Sequence, residues 1–231
     1  MKKWLKYALA IPVALFILFN AYVYGNILIY RAIAPHQSAF MSMRMNQYAQ
    51  ENKEVKLDYR WQPYEQISVN LKKALIASED ANFAGHSGFD WNGIRNAMKR
   101  NAKTGKVQAG GSTISQQLSK NLFLNDSRSY LRKAEEAAIT AMLEATTDKD
   151  RIFELYLNVI EWGHGVFGAE AAAQYFYKKP ASKLSKQQAA KLAARVPAPL
   201  FYDENPKSKR LRNKTNIILR RMGSAELPED M

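Results

Sequence analysis

Cysteine is absent from the chain, which excludes disulfides and thiolate-bound metals while leaving the compartment open. Acidic residues are in deficit: 21 Asp and Glu stand against 34 Lys and Arg, a formal net charge of +13. That imbalance favours a polyanionic partner, whether nucleic acid, an anionic membrane surface or a phosphorylated substrate. Internal repeats and convincing strand patterns are missing as well, so the body is expected to be mainly α-helical. Long disorder is not expected either, because 47% of the residues are hydrophobic and 24% charged, an ordinary balance for a folded protein. At 231 residues the chain can hold one sizeable core, or one domain with an anchoring segment, but not two full domains.

What is present begins with an apolar run. From Tyr7 to Tyr30 no residue is charged, and at about 1.5 Å per residue the stretch can cross roughly 30 Å of hydrocarbon. A cleaved signal peptide would be shorter and end in a small-x-small site, whereas this run continues through Tyr22, Val23 and Tyr24. Lys2, Lys3 and Lys6 crowd its near side and only Arg31 and Arg44 follow closely on the other, so the N-terminus is expected in the cytoplasm and the body outside the inner membrane. On that side genomic DNA is out of reach, and the cationic excess points to membrane phosphates rather than nucleic acid. The expected division is a cytoplasmic N-terminus over 1–6, an anchor over 7–30, a connector over 31–63 and the body over 64–231.

Along the body, Leu71, Leu75 and the intervening alanines recur at helical spacing and lead into Glu79. A turn-rich segment with Gly85, Gly88 and Gly93 follows, and residues 101–109, "NAKTGKVQA", read as a mobile basic loop. Gly110 and Gly111 precede a helix with Ser112 as its N-cap and Ile114, Leu118 and Leu122 on one face. Further helices are expected from Arg132 and from Arg151, and Ser185 with Gln188 makes a capping box for another that Pro197 closes. Leu211, Ile218 and Met222 form the apolar stripe of a basic C-terminal helix, either packed on the body or touching the membrane.

Two short patterns fail in context. Gly163, Gly165 and Gly168 spell G-x-G-x-x-G but follow a helix-like segment instead of a buried strand. Lys103-Thr104-Gly105 resembles a transpeptidase K-T-G, yet no S-x-x-K supplies an acylating serine.

Glu79-Asp80 is more informative. An acidic pair at a helix C-terminus opposes the macrodipole, a poor choice for stability and a pointer to chemistry. Phe83, Phe89 and Trp91 could partly shield one carboxylate and make it a better proton acceptor near neutral pH. The glycines and N–H groups ahead of "STISQQLSKNLF" suit an anion, with Ser112, Thr113, Gln116 and Gln117 as neutral donors and Lys120, Arg128, Arg132 and Lys133 as cations. A second acid lies at Glu135 or Glu136, between which periodicity does not choose. Two separated carboxylates and a basic cradle suit glycosyl or phosphoryl transfer at a membrane surface.

"EDANFAGHSGFD", "GGSTISQQLSKNLFL", "RKAEEA", "RIFELYLNVIEWGHGVFGAEAAAQYF" and "LSKQQAAKLAARVPAP" stand in the order and near the spacing of the motifs of the peptidoglycan glycosyltransferases of family 51. Over residues 64–200 the chain resembles that family, in the form with one anchor and no transpeptidase domain. The resemblance implies a lysozyme-like helical body on the outer face of the inner membrane that polymerises lipid II into glycan strands. It assigns Glu79 as the general base on the acceptor 4-hydroxyl and Glu136, not Glu135, as the second acid. It places Lys120 and Arg128 on the donor pyrophosphate, and the substrate-binding residues expected with them are Ser112, Gln116, Gln117, Arg132 and Lys133 around them and Asp80 and Phe83 beside the base.

It also implies a divalent cation such as Mg²⁺ on the pyrophosphate, no dedicated protein metal cage and no organic cofactor. The expected partners are lipid II, the growing glycan chain, the inner membrane and cell-wall synthesis or division proteins, not nucleic acid. His86, His164, Tyr156 and Asn158 are read as structural. The rivals are a lytic lysozyme-like glycosidase and a non-catalytic basic membrane-binding protein.

Overall fold

The computed structural model describes residues 2–105 and 111–228. Helix α1 (Lys2–Tyr30) contains one segment long and apolar enough to cross a membrane, Ala10–Tyr30. Its first part is exposed along Ile11, Leu15, Phe16 and Leu18, whereas Val23 and Ile27 are fully buried against the body. Arg151 holds the end of this helix by donating from Nε to the Tyr30 carbonyl at 2.8 Å and from Nη2 to the Ile33 carbonyl at 3.0 Å.

The stretch expected as a connector contains a helix of its own, α2 (Ala39–Gln50), which Ser38 caps by accepting the Met41 N–H. Phe40, Met41 and Tyr48 bury its inner face. Strand β1 (Asp58–Tyr59) then joins a small sheet in the order β1-β3-β2, completed by β2 (Glu161–Gly163) and β3 (Val166–Phe167). β1 runs parallel to β3 and β2 antiparallel to it. Strands of two or three residues are too short to leave an alternating pattern in the sequence.

Helix α3 (Val69–Glu79) starts on Ser68, whose hydroxyl accepts the Asn70 N–H. Leu71, Ala74 and Leu75, at the i, i+3 and i+4 positions of one face, are fully buried. Removing each leucine from water contributes about 2 kcal/mol. Helix α4 (Trp91–Thr104) takes in the first four residues of the segment expected as a basic loop, since Asn101 to Thr104 continue its last turn. Gly105 ends it in the left-handed conformation at φ +63°. The rest of that expected loop, residues 106–109, and Gly110 ahead of the next helix lie outside the described residues.

Helices α5 (Ile114–Phe123), α6 (Tyr130–Thr146) and α7 (Lys149–Val159) form the centre, with α5 packed on both others and α6 also against α1. The sequence places the starts of α6 and α7 two residues late, because Ser129 and Asp148 are the N-caps. α8 (Ala169–Tyr177), α9 (Lys186–Ala193), α10 (Pro199–Glu204) and α11 (Lys209–Arg221) complete the body. The expected Ser185–Gln188 capping box is present on α9. α11 packs against α9 and α3 through buried Leu211, Thr215 and Ile218, which favours the packed reading of this basic helix.

The G-x-G-x-x-G glycines build the β2–β3 hairpin and its exit. Gly168 precedes α8 at φ +84°, and a Cβ there would lie 2.6 Å from the Asn158 carbonyl oxygen. Gly168→Ala should cost about 2 kcal/mol, from backbone strain and displacement of α7. A thermal melt indistinguishable from wild type would show that the turn relaxes freely.

Candidate active site

The two residues of the acidic pair Glu79-Asp80 face different neighbours. Asp80, the C-cap of α3, is buried and its carboxylate is occupied. His86 Nε2 stands 3.0 Å from Oδ1 and the Ile114 N–H donates to Oδ2 at 3.0 Å. Asp80 therefore opposes the dipole at the end of α3 but complements it at the start of α5. Its role is to join the two helices.

Glu79 stays partly open, with its side chain 10% exposed. Ser78 Oγ donates to Oε1 at 2.7 Å, Gln117 Nε2 donates to Oε2 at 3.3 Å, and Lys214 Nζ lies 3.7 Å from Oε1. Gln117 is oriented from behind by Tyr156. Burial pushes the Tyr156 hydroxyl well above its usual range, so it stays protonated and donates to Gln117 Oε1 at 3.1 Å. That bond leaves the Gln117 amide nitrogen facing Glu79.

The aromatic shield expected for Glu79 is not built from Trp91, which is 68% exposed and stacked on Phe89. Phe83 is a core residue packed on Phe153, with their ring centroids 5.4 Å apart, and offers no surface to a substrate.

The start of α5 also differs from expectation. Its N-cap is Thr113, whose hydroxyl accepts the Gln116 N–H while Gln116 Oε1 accepts the Thr113 N–H. With Asp80 on the Ile114 N–H, these donors are met within the protein and are not free for an anion. Gln116, buried in the cap, fixes the helix start. Ser112 is exposed one residue earlier and accepts from Lys133 Nζ at 3.1 Å. Gly111 is required by close packing, because a Cβ there would lie 3.2 Å from the Ile94 Cα.

Glu136 is the buried member of the second acidic pair. Arg132 Nη1 donates to its Oε2 at 2.6 Å and Lys133 Nζ to its Oε1. Glu135 lines a different cavity, between Phe19 of α1 and Phe123. Arg128 is exposed on the loop between α5 and α6.

Lys120 lies one turn beyond Gln117 and shares its helix side. Its Nζ is 5.1 Å from the Phe40 ring centroid, and both side chains line a cavity of about 170 Å³ with Arg44 and Glu161. Burial lowers the Lys120 pKa from its usual 10.5, and Glu136 is the largest influence opposing that shift. Arg44 grips Glu161 from Nε at 2.9 Å and Nη2 at 3.1 Å. Burial raises Glu161, against the lowering effect of Arg44.

Arg44, Phe40 and Glu161 were missed by sequence reasoning. Arg44 and Phe40 lie where no apolar period stood out, although Glu161 belongs to one of the recognised motifs. The structural readings of the remaining polar residues agree with their contacts: His164 meets Asp203, and the Asn158 amide exchanges two hydrogen bonds with the Gln62 backbone.

Among the described residues no group of three or more His, Asp or Glu gathers to hold a metal. Glu136, the acid nearest the cationic cluster, has both oxygens engaged by Arg132 and Lys133. These side chains do not fit a resident cation. They form a cationic cluster that α5 connects, through Lys120 and Gln117, to the partly open carboxylate of Glu79, an arrangement able to receive a proton at one point and an anionic leaving group at another.

A family model described as transglycosylase matches residues 45–223. A protein named biosynthetic peptidoglycan transglycosylase from Neisseria meningitidis serogroup C (strain 053442) is 77% identical over 227 residues, 98% of this chain and 96% of that relative. One of the same name from Neisseria gonorrhoeae is 74% identical over 227 residues, with the same two shares covered.

Proposed function

We propose, for a chain that belongs to the transglycosylase family and is a peptidoglycan glycosyltransferase, that it extends glycan strands from lipid II with Glu79 as the base. The observation that carries this reading is the arrangement on α5. Gln117 holds Glu79, and Lys120, on the same helix side, faces the cationic cluster of Arg132 and Lys133 around Glu136.

In the proposed reaction the Glu79 carboxylate takes the proton of the acceptor sugar's 4-hydroxyl as its oxygen attacks C1 of the donor sugar. The bond from C1 to the diphosphate breaks, the configuration at C1 inverts, and undecaprenyl pyrophosphate leaves with the electron pair. In this reading Lys120, Arg128, Arg132 and Lys133 meet the charge that develops on that group. Glu136 holds Arg132 and Lys133 in position instead of moving a proton. A divalent cation would be carried by the substrate's diphosphate. The exposed first part of α1 supports a single-pass anchor, with the body on the periplasmic face of the inner membrane.

Product analysis from labelled lipid II tests the reading. Polymer is expected, with fragments neither from lipid II nor from preformed glycan. Release of fragments from preformed glycan without polymer would assign a lytic enzyme. The depressed Lys120 adds a pH test. Polymerisation should decline on the alkaline side before pH reaches the usual lysine value of 10.5. Lys120→Arg, which keeps its charge, should move that decline to higher pH. An unchanged alkaline limb in this variant would remove Lys120 from the charge-bearing step.

A further inference from the structure

The base receives a cation from an element that carries none of the recognised motifs. Lys214 lies on α11, between the buried positions Leu211 and Ile218, and its Nζ stands 3.7 Å from Glu79 Oε1. The side chains are 30% and 10% exposed, so the pair is only partly screened by water. The other groups facing Glu79 do not duplicate this charge. From α3, Asp80 is engaged by His86 and α5; from α5, Gln117 is neutral; from α7, Tyr156 is protonated; from α9, the nearby group is the Ala193 carbonyl, uncharged and 3.5 Å from Ser78 Oγ. Arg210 lies one turn earlier on α11 and acts on Lys214 itself.

We infer that Lys214 is a positioning residue that supplies the counter-charge on Glu79 Oε1 and leaves its Oε2 as the oxygen that takes the acceptor proton. Oε1 carries both Ser78 and Lys214, whereas Oε2 has only the 3.3 Å contact from Gln117 and is the less engaged acceptor. The inference rests on the reading of Glu79 as base and extends the site to the C-terminal helix. Geometry carries it. Burial also lowers the Lys214 pKa while Glu79 raises it, as expected for an ammonium held out of water by one carboxylate.

The test is the pH dependence of kcat/KM for lipid II polymerisation by the full-length protein in detergent. In Lys214→Met the carboxylate loses this counter-charge. The acidic limb should move up by about one pH unit, with activity recovering toward the wild-type value above it. Lys214→Arg should restore the wild-type limb. Arg212→Met, an exposed position on the same helix that removes the same charge, should leave it unmoved.

A purely structural role for Lys214 would instead lower activity equally at every pH and leave the limb in place, overturning the inference. An equal shift in Arg212→Met would overturn it too, because the field of the whole helix would then be responsible. If Lys214→Met melts early, Lys214→Gln makes the same comparison with a neutral side chain of similar helix propensity that keeps hydrogen-bonding capacity. Glu79→Gln keeps the two readings apart: normal polymerisation in that variant removes the base itself. An unshifted limb in Lys214→Met, in an enzyme that Glu79→Gln inactivates, removes only the role of Lys214.

Discussion

Glu79→Gln should slow lipid II polymerisation by on the order of 10²–10⁴-fold, the range associated with loss of a positioned general base. The substitution is nearly isosteric and keeps an acceptor oxygen for the Ser78 hydroxyl, so the end of α3 has no reason to move. What disappears is the negative charge that faces Lys214 and the ability to take a proton. Lys214 can turn toward solvent when its partner is neutral, since its side chain is already 30% exposed. The thermal melt should therefore stay close to wild type while labelled lipid II remains unconverted. Polymer formed at the wild-type rate would show that another group accepts the proton.

Asp80→Ala should have the opposite signature, with a large loss of stability preceding any effect on chemistry. Its buried carboxylate meets two elements at once, His86 and the first N–H of α5. Truncation leaves a buried N–H and a buried imidazole nitrogen without partners, and the Nδ1 of that ring has no hydrogen bond to compensate. Breaking a buried arrangement of this kind costs about 3 kcal/mol, which for a body of this size is roughly 6–12 °C in Tm. Unfolding in detergent, followed by circular dichroism, measures it. A fall of less than about 1 kcal/mol would mean that water replaces the carboxylate at little cost.

Much of this site was legible where a residue's local pattern and its tertiary role coincide. The capping box on α9, the apolar face of α3 and the long N-terminal run are all written in adjacent residues. The choice of Glu136 over Glu135 was not. Both lie near apolar helix positions, and the resemblance preferred the member that burial and two cations now distinguish. Ser112 and Thr113 are equally good caps by composition, and the hydrogen bond to Gln116 selects Thr113.

Long-range pairs left no local signal. Arg44 and Glu161 are 117 residues apart, and Lys214 is one of many cations on a helix with a strong apolar stripe. Asp80 shows the same limit in another form. Seen alone, it was misplaced at a helix end, and only the packing of α5 supplies the second helix end that compensates it.

The grip of α1 on the body bears on how the protein can be shortened. Tyr30 stacks on Phe123, the last residue of α5, and Val23 and Ile27 fill the apolar flank that includes α6. A chain begun at Arg31 would lose more than its long apolar helix. It would uncover part of its own core and free the far end of the helix that carries Gln117 and Lys120. Solubility gained by cutting there would come with a sticky flank and a loosened α5, so a cleanly behaved soluble form requires polar replacements on that flank as well as the cut.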